Sequence, residues 1–298
     1  MINAIKNRYR KDGWLGVFMA AVKASWYILS IVYLKLFQLL VGILPNEMRA
    51  RLKGSIHPIA HLDYSRSAIK ITADNHMSFA RSNACKKEPE TIQWIEANIK
   101  PGDVFYDIGA NIGAYSFVAD KFCKGNITVY AFEPSFSTFN QLCKNILINN
   151  SQESIYPFMI CLSHQDQLET FNYVSTDAGE SRHTLGTNTI DCLGQEFSPA
   201  YQQKILSYRI DSLVKHWGFR PPNHIKIDVD GTELDILHGA SETLSRNSVK
   251  SILVEISSLD PYHDEITAFL QQSGFRVDSK IKHGSTVISN VIFQRMNQ

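Results

Sequence analysis

Residues 105–116 read F-Y-D-I-G-A-N-I-G-A-Y-S. The apolar run from Val104 to Ile108 stops at a glycine-containing turn, and a helical pattern from Ala114 to about Phe122 follows. The chain therefore passes from a buried strand through a tight loop into a helix. The same alternation repeats outward from this unit. Upstream, a helical stretch from Glu88 to Ile99 ends at Lys100-Pro101-Gly102, which separates it from the strand. Downstream, Ile127 to Phe132 is a second β-type run ending in Glu133-Pro134, and a helix is expected from about Phe136 to Asn149. Further strands are read at Ser154 to Leu162, His224 to Asp228, Ser251 to Ile256 and Val287 to Arg295, with helical patterns at Gly231 to Ser245 and Tyr262 to Ser273. Such alternation specifies an α/β fold whose mostly parallel sheet is flanked by helices. Ligands of these sheets sit outside the carboxyl ends of the strands, where strand order reverses. The informative residues are then Asp107 with the glycine loop, Glu133, Ser163 to Asp166, Asp228 to Glu233, and Glu255.

The glycine loop is D-x-G-x-x-x-G, not the G-x-G-x-x-G of a dinucleotide site. Gly109 and Gly113 let the backbone approach a ligand, while Asp107 puts a carboxylate at the strand end. A pyrophosphate disfavours negative charge there, whereas a cationic ligand suits it. S-adenosylmethionine brings a sulfonium, an amino group and a ribose diol. Glu133, 24 residues after Gly109, has the position and chemistry to accept hydrogen bonds from both ribose hydroxyls. Asn111 reads either as a contact residue or as a turn residue tolerating a left-handed conformation.

Four stretches, F-Y-D-I-G-A-N-I-G-A-Y-S (105–116), A-F-E-P (131–134), S-Y-R-I-D-S-L (207–213) and I-K-I-D-V-D-G-T-E-L-D-I-L-H-G-A (225–240), together resemble the FkbM family of S-adenosylmethionine-dependent methyltransferases. The resemblance runs over roughly Lys87 to Val254. It implies a class I methyltransferase (Rossmann-like) fold and O-methylation, often of glycan or natural-product hydroxyls. By position it implies that Asp107, Gly109, Asn111, Gly113 and Glu133, with Pro134, line the cofactor, and that Asp228 stands beside the transferred methyl. Ser163 and Asp166 complete the expected cofactor set. The chain departs from the family at Asp230, where members commonly carry Glu, and at His164, where an acid usually receives the adenine amino group, so that Asp166 or a backbone carbonyl must accept that bond.

Methyl transfer is an in-line displacement, and an acceptor hydroxyl must also lose a proton. With period two on the strand, Lys226 and Asp228 point the same way, and the lysine keeps the acid ionised. Asp228 is the preferred base and His183, in the loop at 176–189, the second choice. Glu233 reads equally as a first-turn helix acid. The segment Ser175 to Tyr201, rich in Ser, Thr and Gly, reads as an acceptor-binding lid or a disordered tip, the lid being preferred. Three rivals remain: a sugar-nucleotide glycosyltransferase reading Asp228-Val229-Asp230 as D-x-D, a nicotinamide-dependent reductase, and a non-catalytic membrane-bound binding protein.

The chain has 298 residues, 44% hydrophobic and 20% charged, with a net charge of +1, which argues against a nucleic-acid partner. Residues 1–60 nevertheless carry nine Lys/Arg against two acids. Five scattered cysteines, none in C-x-x-C, suggest a reducing compartment and no metal site. His57 and His61 are the nearest approach to a ligand pair, and Pro58 breaks the helix that would align them. Trp14 to Leu44 contains only Lys23 and Lys35 as charges. At 100° per residue Lys23, Tyr27, Ser30, Lys35 and Gln38 share one arc of roughly 160°. A helix lying in a membrane interface, a helix packed on protein and a spanning helix all fit that segment. The expected organisation is a basic, apolar amphipathic helix over 1–45, a connecting extension over 46–86 and the methyltransferase domain over 87–298. The expected partners are a hydroxyl-bearing small molecule or glycan and a membrane surface met by residues 14–44, in a cytoplasmic protein peripheral on the inner face of the membrane.

Overall fold

A computed structural model describes residues 2–282 and 287–296. The chain forms two compact units, Met1–His57 and Pro58–Gln298.

In the first unit helix α1 (Ile2–Gly42) is interrupted at Gly13, whose φ of 64° leaves the helical region, and α2 (Asn46–Ser55) follows Pro45. Gly13–Gly42 is 30 residues long, its most apolar 18-residue stretch has a mean hydropathy of 1.7, and it is long and apolar enough to cross a membrane. The expected thin polar face is not separated from the apolar one. At 100° per residue Ile31, Leu34 and Val41 fall on the arc of Lys23 and Gln38, and Ile28, Leu34 and Leu40 are all exposed. The side chains of Lys6, Arg8, Arg10 and Lys11 lie outside the described residues.

The second unit opens with an antiparallel pair, β1 (Ile59–His61) and β2 (Lys70–Thr72). Three short helices follow: α3 (His76–Ala80), capped by Asn75, then α4 (Ala84–Lys87) and α5 (Pro89–Asn98). The expected connecting extension 46–86 is thus divided. Leu62, Tyr64, Ile69 and Ile71 belong to the core, and Asn145 and Asn149 hold the backbone of Thr72 and Lys70. Next come β3 (Val104–Ile108), α6 (Ala114–Phe122), β4 (Thr128–Phe132), α7 (Phe136–Ile148) and β5 (Ile155–Phe158). The chain then leaves the main sheet for β6 (Cys161–Leu162), β7 (Gln167–Tyr173), β8 (Thr184–Leu185) and β9 (Tyr201–Tyr208), which form a separate four-stranded sheet. It returns through α8 (Ile210–His216), β10 (His224–Ile227), α9 (Glu233–His238), α10 (Ser241–Leu244), β11 (Ser251–Ser257), α11 (His263–Gln272), β12 (Phe275–Lys282) and β13 (Ile288–Arg295).

The seven-stranded sheet has the order β12-β13-β11-β10-β3-β4-β5, with β13 antiparallel to both its neighbours. This is a class I methyltransferase, Rossmann-like architecture. Alternate residues face opposite layers. Phe105, Val129 and Leu253 pack with α5, α6 and α7 on one side, while Tyr106, Ile225 and Val254 pack with α8, α9 and α11 on the other. Because β3 is followed outward by β4 and β5 on one side and by β10 and β11 on the other, strand order reverses between β3 and β10. That reversal places the ligand crevice at their carboxyl ends.

Candidate active site

A cavity of about 440 Å³ opens at the carboxyl ends of β4, β3, β10 and β11. Among its lining groups are the carboxylates of Glu88, Glu133, Asp228, Asp230 and Glu255 and the cations Arg81, Lys87, Arg182 and Lys226. A smaller apolar slot adjoins it, with Gly109, Pro134, Phe171, His183, Val229 and Asp230 common to both. Phe132, Ile160, Leu162 and Ile236 form more of its wall.

Glu133 ends β4 and is almost fully buried. Its Oε2 accepts the backbone N–H of Asn111 at 2.9 Å and its Oε1 that of Ser135 at 2.9 Å. Burial pushes its carboxyl up to about 7, against the pull of those two bonds. Each oxygen retains a lone pair for a ligand hydroxyl. Gly109 lines the cavity with φ 77°, and a Cβ there would collide with the Asp228 carbonyl oxygen. Asn111, at φ 50°, combines both expected roles: it lines the cavity and makes the left-handed turn, its side chain donating to the Glu180 carbonyl at 3.0 Å.

Four of the expected cofactor contacts do not line the cavity: two lie beneath it and two away from it. Asp107 does not line the cavity. Its parity on β3 turns it toward α6, where it is wholly buried, accepts the Ser116 hydroxyl at 2.6 Å and lies 3.8 Å from Lys226 Nζ. Burial raises its carboxyl despite Lys226. It supports the floor of the loop. Gly113 is also beneath the surface, at φ 95°, where a Cβ would meet Leu142 and Phe117. Ser163 and Asp166 are away from the cavity because the expected strand 154–162 is two strands, and its second part pairs with β9 in the other sheet. Asp166 accepts the Arg209 N–H at 2.7 Å, and His164 lies 3.2 Å from Asp235.

Lys226 and Asp228 are together as expected. Lys226 Nζ is 2.7 Å from Asp228 Oδ2 and 5.0 Å from the centroid of the Tyr115 ring. Burial opposes the charge on Lys226, but Asp228 and Asp107 outweigh it and raise its pKa. Burial likewise opposes ionisation of Asp228, yet Lys226 holds its carboxyl below the usual range. His183 is not suited to be a base. Its Nδ1 accepts the Val174 N–H at 3.2 Å, which assigns the proton to Nε2, a buried atom at the cavity wall without a partner among the described residues. Burial lowers its pKa to about 4, with Arg182 and Arg81 adding to the effect. Asp230, raised by burial to about 6, accepts the Arg182 N–H. Glu233 is buried and accepts the Gly231 N–H at 3.2 Å, in keeping with the helix-turn alternative.

Residues 174–200 form the cavity's outer wall through Glu180, Ser181, Arg182, His183, Cys192 and Leu193. Gly179 anchors this wall, its N–H donating to Thr138 at 3.1 Å and its carbonyl accepting from Arg81 Nε at 3.0 Å. Sequence reasoning assigned nothing to Arg81, Lys87 or Glu88, which fall in or beside the supposed connecting segment. No group of three or more His, Cys, Asp or Glu among the described residues is arranged to hold a metal ion.

The Methyltransferase FkbM domain matches residues 107–277. The hexuronic acid methyltransferase AglP of Haloferax volcanii is 26% identical over 221 residues, 74% of this chain and 83% of that protein. The 31-O-demethyl-FK506 methyltransferase FkbM of Streptomyces tacrolimicus is 26% identical over 196 residues, 60% of this chain and 75% of its own. The crystal structure of a methyltransferase FkbM from Methylobacillus flagellatus superposes on 74% of this chain and 55% of that one, with 14% identity and a TM-score of 0.48. With more than half its length covered by the domain match, the chain belongs to the FkbM methyltransferase family.

Proposed function

We propose that the protein moves the methyl group of S-adenosylmethionine to a hydroxyl of a sugar-containing or related natural-product acceptor. The observation that carries this reading is Glu133, fixed by two backbone N–H groups and aimed into the same cavity as the glycine loop. The residues fit such a cofactor. The Glu133 carboxylate suits a ribose diol, the apolar slot beside Pro134 suits a flat heterocycle, and the orphaned His183 Nε2–H offers that heterocycle one donor. When bound, the cofactor supplies an electrophilic methyl on a positively charged sulfur. Asp228, kept ionised by Lys226, orients the acceptor hydroxyl, and the 174–200 wall excludes water. The acceptor class follows the relatives, one named for a hexuronic acid and one for 31-O-demethyl-FK506. Isothermal calorimetry with S-adenosylmethionine, UDP-glucose and NADH tests the reading: binding heat is expected from the first alone, and heat from either of the others in its place overturns it.

The 30-residue helix Gly13–Gly42, with apolar side chains on every side, supports attachment of the enzyme to a lipid bilayer. Co-flotation of the full chain with anionic vesicles, lost on replacing Leu29, Leu36 and Leu40 by glutamate, is expected; flotation of the variant overturns it.

A further inference from the structure

Glu255, at the cavity end of β11, has no assigned part in the chemistry so far. The pairing of Ile227 with Val254 sets Asp228 and Glu255 side by side on one face of the sheet. The pairings of Ile227 with Ile108 and of Ile108 with Phe132 bring Gly109 and Glu133 to the same level. Four neighbouring strand ends thus carry a row, Glu133, Gly109, Asp228, Glu255, spanning three strand spacings or about 14 Å. With the ribose at the Glu133 end, the acceptor is left the Glu255 end.

The two acids at that end differ in their partners. Asp228 is bound to Lys226, which makes it a weak base. Glu255 lines the cavity, and its carboxylate accepts no hydrogen bond among the described residues. The groups facing it are Lys226, Asp228 and Asp230 from β10 and its loop, Lys87 and Glu88 from the segment before α5, and Cys192 from the outer wall. Burial first, then the charges of Asp228, Glu88 and Asp230, push its carboxyl well above the usual range. Neighbouring acids whose environments drive them apart divide the work of holding and moving a proton.

Resting on the methyltransferase reading, we infer that Glu255 is the catalytic residue that takes the acceptor hydroxyl's proton, while Asp228 holds that hydroxyl in place. As the acceptor oxygen bonds to the methyl carbon and the carbon–sulfur bond breaks with its electron pair left on sulfur, the hydroxyl proton passes to a Glu255 oxygen and later to solvent. Burial and the neighbouring acids favour the protonated form of Glu255 in the empty protein, and positive charge seated beside it favours release of that proton.

That release is measurable without an acceptor. Calorimetry of the full chain near pH 7, in buffers of different ionisation enthalpy, counts protons released on binding S-adenosylmethionine and on binding its neutral product S-adenosylhomocysteine. In the wild type the charged ligand is expected to release up to about one proton more than the neutral one. In Glu255→Gln that difference vanishes while S-adenosylhomocysteine still binds. A difference that persists in Glu255→Gln overturns the assignment. Should Glu255→Gln fail to fold, carbon-13 NMR of the wild type labelled at the glutamate carboxyls decides: one resonance must move to its ionised position with S-adenosylmethionine and not with the product. Failure of the wild type to bind either ligand would instead sink the methyltransferase reading itself.

Discussion

At the scale of single residues, Lys226 joins the floor of the site to its wall. It is buried between Asp107, which faces α6, and Asp228, which faces the cavity. Removing one member of a buried ion cluster leaves unpaired charge, so Lys226→Met is expected to lower stability by about 3–5 kcal/mol in urea unfolding. A loss below about 1 kcal/mol would show that the cluster is not coupled as described. Glu133 makes a different prediction. With its pKa near 7 it is largely protonated below neutrality, and only the carboxylate accepts both ribose hydroxyls. Affinity for S-adenosylhomocysteine, which brings the ribose without the positive charge, is therefore expected to fall as pH drops below 7, approaching about tenfold per unit, and to be weaker but flat with pH in Glu133→Gln. Of these residues Glu133, Lys226 and Asp228 were legible from position and parity alone. The inward turn of Asp107 was also implied by parity, since Phe105 on the same face belongs to the α6 side, but a motif read by its chemistry invites the nearer acid to the ligand.

At the scale of elements, the strand–loop–helix at 104–122 formed as read because apolar period and glycine placement agree there. Gly109→Ala is expected to abolish cofactor binding, since the left-handed backbone alone costs about 1–2 kcal/mol for a side-chain-bearing residue and the new Cβ strikes the Asp228 carbonyl. Binding within about threefold of wild type would show that the loop adapts. The run 154–162 misled because an apolar stretch says nothing about which sheet it joins. Its strand ends at Phe158, and Cys161 and Leu162 pair with Ser207 and Tyr208 instead. Residues 58–86 carried no period to read. Their strands are three residues long, and the side chains of Asn145 in α7 and Asn149 just past its end, more than seventy residues away, hold β2 in place. In α1 the chosen polar residues did share an arc, but the apolar residues among them remove the two-faced character.

At the scale of the whole molecule, the carboxylates that shape the site weigh on the stability of the empty protein. The pKa values of Glu133, Asp230 and Glu255 are raised in the folded state, mainly by burial. Their contribution is fully present below the unfolded-state values and is lost as pH rises through the folded ones. Thermal stability of the empty protein is therefore expected to fall from about pH 5 to about pH 8, and bound S-adenosylmethionine to restore part of the loss at the upper end. A melting temperature that rises over that interval would contradict it. The segregation of charge along the chain, basic in the first sixty residues and acidic beyond, matches the division at His57 between an apolar helical unit and a unit built around acids.

The central claim is that the cavity at the strand ends receives S-adenosylmethionine with its ribose on Glu133. A crystal structure of the protein grown with S-adenosylhomocysteine tests it most directly. The ribose hydroxyls are expected on the Glu133 carboxylate and the sulfur near Asp228, with Glu255 beyond it. Ligand density elsewhere in the molecule, or a phosphate-bearing ligand seated against Glu133 instead, would contradict the account.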